Sequence, residues 1–517
     1  MKEIYRISLV LLFLFCLYSC SEIETKDTDL TIITSDKALE QEFNWAKEKA
    51  RSYVMTGKSG VKDKSELFGG NENVTYIPCY QAGYPFRSAF YIRDFCHQLS
   101  GAHLLGLQKE NLSMLKAFLC TTTKARKWYP LWALNFDGSP YRVDYINDSC
   151  FVRQIPAAFE LVEKAYKQYL WTGNREIIEN PILWNAYTKI VTDFITLHDK
   201  LLVNEVAEGD GSGNIFNGTT TYNEFNIPLI EAGDGIATQY QAYRAYASML
   251  NARGEYIDSQ KFQIKSQQLK DYFNQQWSIK EGENNLVRAI TIRGEKLTDF
   301  GRENSIFMAM KGIVTPSIRN KEYLNYCHSM YKEVDASMMN IEGLTYLPDT
   351  YFAYNLVDKG WEWTMRIRND LDKNHIVPLV GSNRNYPEAS YTTISNVVEN
   401  LIGFEPDAPN HAIATIPRLP AEIAYLGVNN IMVGKHRINV MHDGNTITTI
   451  QHINGDKDIQ CTVRFYGIYP QISIDKTLFT ASQTELNGEK ISQVCVTIPI
   501  GSSIKAQAVN PDNLSSR

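Results

Sequence analysis

Between about Ala38 and Gly403 the apolar residues recur at helical spacing. The clearest stretch is Phe151, Ile155, Phe159, Val162, Tyr166 and Tyr169, separated by four, four, three, four and three residues, which marks one face of an amphipathic helix. Similar stretches run near 38–57, 87–107, 110–125, 175–205, 235–253, 256–276, 302–313, 318–333, 348–358, 360–377 and 387–402. With 149–172 they predict twelve helices, and alternating short and long connections pair them into six hairpins. After about Asp407 the period changes to two. Ile459, Cys461, Val463 and Phe465 alternate with polar or larger neighbours, as do Val494, Val496, Ile498 and Ile500. His442-Asp443-Gly444-Asn445 sits between two β-branched runs and reads as a hairpin turn. The pattern therefore predicts a mainly α unit over 38–405 and a β-sandwich-like unit over 406–517.

Three connections are long: 57–85, 127–149 and 206–233. Their Gly, Asn, Asp and aromatic content suits a polar binding face, and long loops in a packed domain usually carry function. The N-terminus adds a separate signal. Lys2 and Arg6 precede a short apolar run over 7–17, too short to span a bilayer. Leu17-Tyr18-Ser19-Cys20 then resembles a bacterial lipobox, which implies lipidation of Cys20 and loss of residues 1–19. The acidic start Ser21-Glu22-Ile23-Glu24 is similar to lipoproteins of the outer membrane, and 21–37 is expected to be a linker. A periplasmic or surface-exposed envelope protein follows, attached to the membrane through its anchor alone.

Composition narrows the chemistry. A net charge of −6 without a basic stripe argues against nucleic acid as a partner. The 30 Tyr and 8 Trp supply side chains that stack on sugar faces while their polar tips hydrogen-bond. After Cys20 seven scattered cysteines remain, with no CxxC spacing, so neither a zinc site nor a disulfide framework is expected. No cofactor motif is present, and none is expected.

The acids of the long loops are the candidates for catalysis, because glycosidic cleavage needs one protonated and one ionised carboxyl group across the scissile bond. Four patches stand out. Tyr91-Ile92-Arg93-Asp94 sets a charged pair in an apolar, aromatic segment, where it must be either used or hydrogen-bonded. Asn147-Asp148-Ser149 opens a helix, where Asp148 also suits an N-cap. Glu231-Ala232-Gly233-Asp234 ends the third long loop, with Glu208, Asp210 and Glu224 in the same loop. Tyr386-Pro387-Glu388 opens the last helix, with Glu362 and Asp370 upstream and Trp361 and Trp363 flanking Glu362.

Aromatic-x-Arg-Asp at the start of the second helix resembles the Trp-x-Arg-Asp segment of glucoamylases and other six-hairpin glycosidases, with Tyr91 in place of the Trp. The resemblance implies an (α/α)6 toroid in which Arg93 and Asp94 hold the non-reducing-end sugar. It implies Asp148 as a further sugar contact, Glu231 as general acid with Asp234 as its rival, and Glu388 as base with Glu362 in reserve beside Trp361. An exo-acting, inverting glycoside hydrolase is the expectation, with the Glu231 and Glu388 carboxyls roughly 6.5–9.5 Å apart. An oligosaccharide lyase on the same toroid, using His97 or His103, and a non-catalytic glycan-binding lipoprotein are the alternatives.

Overall fold

In the computed structural model the apolar faces found by period close into a ring. Residues 28–334 and 339–509 are described, so Cys20 and the leader lie outside them. In chain order the helices are α1 (Lys37–Ser52), α2 (Ile92–Leu104), α3 (Gln108–Cys120), α4 (Ile155–Thr172), α5 (Pro181–Lys189, continuing through a π-turn), α6 (Gly233–Ala252) and α7 (Tyr256–Tyr272, likewise continued). Then follow α8 (Glu303–Met310), α9 (Ile318–Glu333), α10 (Tyr346–Ala353), α11 (Val357–Asp370) and α12 (Pro387–Ser395, with a π-turn to Leu401). The even-numbered helices pack side by side as an inner ring, α12 closing on α2, and the odd-numbered ones form the outer layer. This is an (α/α)6 toroid.

Two glycines set how closely the inner helices approach. A Cβ at Gly101 in α2 would stand 2.1 Å from the Tyr391 carbonyl of α12, and one at Gly233 would stand 2.2 Å from the Asn304 carbonyl of α8. Inner-helix side chains such as Ile92, Phe95, Phe159, Ile236 and Phe307 are fully buried. Outer helices show polar faces; Ile257 and Ile318 there are largely exposed. Among the described residues no helix is long and apolar enough to cross a membrane.

The C-terminal unit is built of a seven-stranded and a five-stranded sheet. The hairpin at 442–445 joins strands His436–Asp443 and Ile447–Asn454 in antiparallel register, with Gly444 at φ 58° in the turn. Strand Ile459–Tyr466 buries every second side chain, as its alternation predicts. Within the expected linker 21–37, Thr31–Thr34 forms an edge strand of the seven-stranded sheet, paired with Tyr425–Val433. The chain thus enters through the β-unit before starting the toroid. Tertiary pairing decides this, because four residues carry no strand period of their own. The two units are fastened by His103 Nε2 to the Met432 carbonyl (3.0 Å) and by Gly434 N–H donating to the Trp171 carbonyl (2.8 Å).

Candidate active site

Five of the six inner helices carry an acid at or just before their first turn: Asp94, Asp234, Glu303, Glu342 and Glu388. Helix N-termini tolerate such charge because their free N–H groups and dipole favour it. At the same end of the ring lies a cavity of about 250 Å³ whose lining includes Arg93, Glu224, Glu303 and Glu342, with Tyr84, Tyr222 and Tyr346. A narrower recess beside it shares Tyr84, Arg93 and Glu224 and adds Asp94, Trp132 and Tyr386.

Local structure delivers each of these groups. Strand Ala89–Tyr91, paired with Ala133–Asn135, runs directly into α2 and so fixes Arg93 and Asp94 in its first turn. Asp94 Oδ1 accepts from the Tyr386 hydroxyl at 2.5 Å. Arg93 lies over the rings of Trp132 and Tyr222, 5.7 Å from each centroid. Glu224 rides on the third long loop, where its Oε1 accepts from Gln154 Nε2 at 3.1 Å. Arg302, with φ 52°, is held in the left-handed region immediately before Glu303 starts α8. Backbone strain of this kind persists only where surrounding structure enforces it, and it clusters at functional sites. Glu342 is oriented at both oxygens, by Asn340 Nδ2 (2.7 Å) and by His375 Nε2 (3.2 Å). His375 in turn stacks on Tyr386, centroids 5.4 Å apart and nearly parallel. Glu303 neighbours Glu342: a Cβ on Gly343 would stand 3.4 Å from Glu303 Oε1.

The electrostatics suit proton transfer. Burial raises the carboxyl pKa of Asp94, and the nearby Glu388 carboxylate adds to it against the opposing pull of Arg93. Burial also raises Glu303, with Arg93 and Arg302 opposing and Glu224 adding. Beneath Asp94, His97 lies between two carboxylates, Nδ1 at 2.6 Å from Glu388 Oε1 and Nε2 at 3.3 Å from Asp349 Oδ2. Burial disfavours its charge, yet the hydrogen bonds to Asp349 and Glu388 carry its pKa up to about 9.

The expected residues divide accordingly. Arg93 and Asp94 are in the pocket wall, where adjacent positions on a helix point apart and each has its own contacts, Asp94 with Tyr386 and Arg93 over Trp132 and Tyr222. The expected acid and base are not brought together across the cavity. Glu231 lies in strand Leu229–Ala232, fully buried on the side of the outer helices, accepting from Asn204 Nδ2 (2.8 Å) and Trp277 Nε1 (2.6 Å). Burial pushes its pKa up to about 7, against those two hydrogen bonds. Glu388 is buried under the floor, with Oε1 committed to His97 and to Thr345 Oγ1 (3.0 Å). Asp234 is fully buried and does not line the cavity. Its Oδ2 accepts from Thr221 Oγ1 (2.8 Å) and from the Tyr222 N–H (2.7 Å), which fixes the loop that carries Glu224. Asp148 sits at the tip of a short hairpin, ion-paired with Arg126 at 2.8 Å. Glu362 is on outer helix α11, paired with Lys332 (2.7 Å) and His328 (3.2 Å), and Trp361 packs into the core beside it. Both are outside the pocket: α11 belongs to the outer layer, where Glu362 turns to solvent and Trp361 is buried in the core. Of the residues considered for a lyase, His103 lies at the opposite end of α2 against Trp171, and burial lowers its pKa to about 4.

Glu303 and Glu342 were missed by sequence reasoning. Their only signal is position: each immediately precedes or begins an inner helix, which is where Asp94 and Glu388 also sit.

No sequence-family model matches the chain, nor does any curated protein. Its fold is similar to that of an α-L-rhamnosidase from Dictyoglumus thermophilum, at 12% identity and TM-score 0.59, covering 93% of this chain and 50% of that one. It is also similar to a GH78 family rhamnosidase of Bacillus sp. GL1, at 11% and 0.58, covering 84% and 42%. A third likeness is to a human-microbiome protein described as a kojibiose phosphorylase, at 9% and 0.52, covering 91% and 63%. The chain spans about half the length of the first two. What it shares with them is the six-hairpin (α/α)6 fold.

Proposed function

We propose that the protein is a carbohydrate-active enzyme of the glycoside hydrolase kind. The observation that carries this reading is the pocket at the N-terminal ends of the inner helices. It combines three glutamates with Arg93 and with tyrosine and tryptophan faces. Glycosidic cleavage calls for a protonated carboxyl and an ionised one around a sugar-sized cavity. Glu303 is the proton donor, since burial favours its neutral form. Glu342, oriented at both oxygens, is the base that takes a proton from water. Asp94 and Arg93 hold sugar hydroxyls, and Trp132 and Tyr222 provide stacking faces. A pocket ringed by loops of the inner helices accommodates a chain end better than a chain interior, which favours exo-action. Inversion is the expected outcome for a donor and base separated by a water. Cys20, if lipidated, would keep the enzyme at the bacterial envelope.

The test is to incubate the mature protein with aryl glycosides and with plant and host glycans, then follow products by anomer-resolved NMR. New reducing ends with inverted configuration, lost in Glu303→Gln and Glu342→Gln, support the reading. Products carrying new ultraviolet absorbance would instead indicate elimination by a lyase. Loss in Glu224→Gln with Glu342→Gln fully active would move the base to Glu224.

A further inference from the structure

Where the toroid ends and the seven-stranded sheet begins, four groups that the sugar pocket does not use come together. His411 follows the turn Ala408–Asn410, His436 begins strand His436–Asp443, His452 lies on the next strand and Asp456 just beyond it. His411 Nδ1 is 2.9 Å from His436 Nε2, and Asp456 Oδ1 is 3.7 Å from each of these nitrogens. A tetrahedral ion with ligands at about 2.0–2.1 Å separates them by roughly 3.3 Å, a value these three distances bracket.

The hydrogen-bond chain behind the cluster sets its tautomers. His452 Nδ1 is 3.1 Å from the Ile498 carbonyl, which can only accept, so in the neutral ring that nitrogen carries the hydrogen. His452 Nε2 then presents a lone pair to His436 Nδ1, 3.1 Å away, which donates to it. His436 Nε2 is therefore left with its own lone pair directed at His411 and Asp456. A carbonyl–His–His relay of this kind orients an imidazole as a metal ligand. Room for the relay depends on Gly455, where a Cβ would stand 2.3 Å from His436 Nδ1 and 2.7 Å from His452 Nε2. His436 is only 1% exposed at its side chain, whereas His411 (30%) and Asp456 (41%) leave an approach from solvent. Lys435 pairs with the other oxygen, Asp456 Oδ2, at 3.1 Å, and so leaves Oδ1 to the histidines.

We propose that His411 Nδ1, His436 Nε2 and Asp456 Oδ1 form a site for a divalent transition metal of zinc-like ligand preference. The ion fastens the turn leaving the toroid to the sheet, with a fourth position open to water. The site is remote from the proposed chemistry, and its test does not depend on glycosidase activity.

The experiment is to strip the mature full-length protein with chelator, dialyse it against Zn²⁺, and measure bound metal and thermal melting. One equivalent of zinc and a raised Tm are expected. Asp456→Asn and His436→Ala should both abolish that equivalent, and Gly455→Ala should weaken binding about 10–100-fold by disturbing the relay. If His436→Ala fails to fold, Asp456→Asn, altered at a half-exposed turn, still decides. Absence of bound zinc in the wild type would overturn the proposal. So would an unchanged stoichiometry in Asp456→Asn.

Discussion

The two ends of helix α8 treat buried acid in opposite ways. At its C-terminus Lys311 lies 2.6 Å from Glu160 and 2.7 Å from Glu163, and Glu160 also accepts from the Tyr222 hydroxyl at 2.7 Å. Lys164, 3.8 Å from Glu163, supplies a second cation, so two carboxylates meet two lysines there, and Lys311 sits at the helix end whose dipole favours it. At the N-terminus Glu303 meets Glu224 and Glu342 around Arg93 and Arg302, with Asp94 and Glu388 close by. Acid outnumbers base among these groups, and burial shifts Asp94 and Glu303 toward the protonated form. One end of the ring satisfies its charges for stability, while the other keeps protons available for transfer. Buried ionisable groups left so unevenly matched are a mark of functional sites.

The largest expected effect tests the reactive end. Glu303→Gln should lower kcat by about 10²–10⁴-fold, the usual contribution of a general acid, with little change in Tm. A variant that melts far lower and keeps its activity per folded molecule would make Glu303 structural and erase the contrast.

Next is the compensated end. Lys311→Met removes the cation that Glu160 and Glu163 share and should cost roughly 3–5 kcal/mol of stability in denaturant unfolding. KM of the protein that remains folded should change little. A loss under 1 kcal/mol would show that these acids never needed the pairing.

Asp94→Asn sharpens the comparison through pH. With its folded pKa raised above the ordinary 3.8, Asp94 adds stability that is complete below about pH 4 and is lost as pH rises through the raised value. The wild type should therefore lose stability on going from acid toward neutral pH, and the Asn variant should show a flatter profile with kcat/KM still reduced by orders of magnitude. A wild-type profile rising across that range and unchanged in the variant would reverse the sign assigned to the pocket floor.

The smallest effect is expected outside both clusters. Glu362→Gln removes exposed ion pairs on α11 and should change stability by about 0–1 kcal/mol and leave activity intact. A large fall in kcat would return Glu362 to the catalytic machinery.

The helices were legible because amphipathic period is a local property: every third or fourth residue reports the buried face whatever lies across from it. The same holds for the strands after Asp407 and for the turn at Gly444. Arg93 and Asp94 were legible because two charges in an apolar stretch demand partners. Which loop carboxylates converge was not, and Glu224 and Glu231 illustrate why. They lie seven residues apart in one loop region, yet strand Leu229–Ala232 pairs with Ala289–Thr291 and turns Glu231 toward Trp277, while Glu224 stays over the cavity. Glu303 and Glu342 reach that cavity from distant parts of the chain, and only ring closure brings their helix starts together. The edge strand Thr31–Thr34 depends likewise on a partner nearly 400 residues away (Thr31 with Asn429). Sequence alone determined the period, and with it the mainly α unit and the β-unit that follows. Tertiary structure decided which acids share a pocket, because convergence depends on side-chain direction and long-range packing that no local pattern encodes.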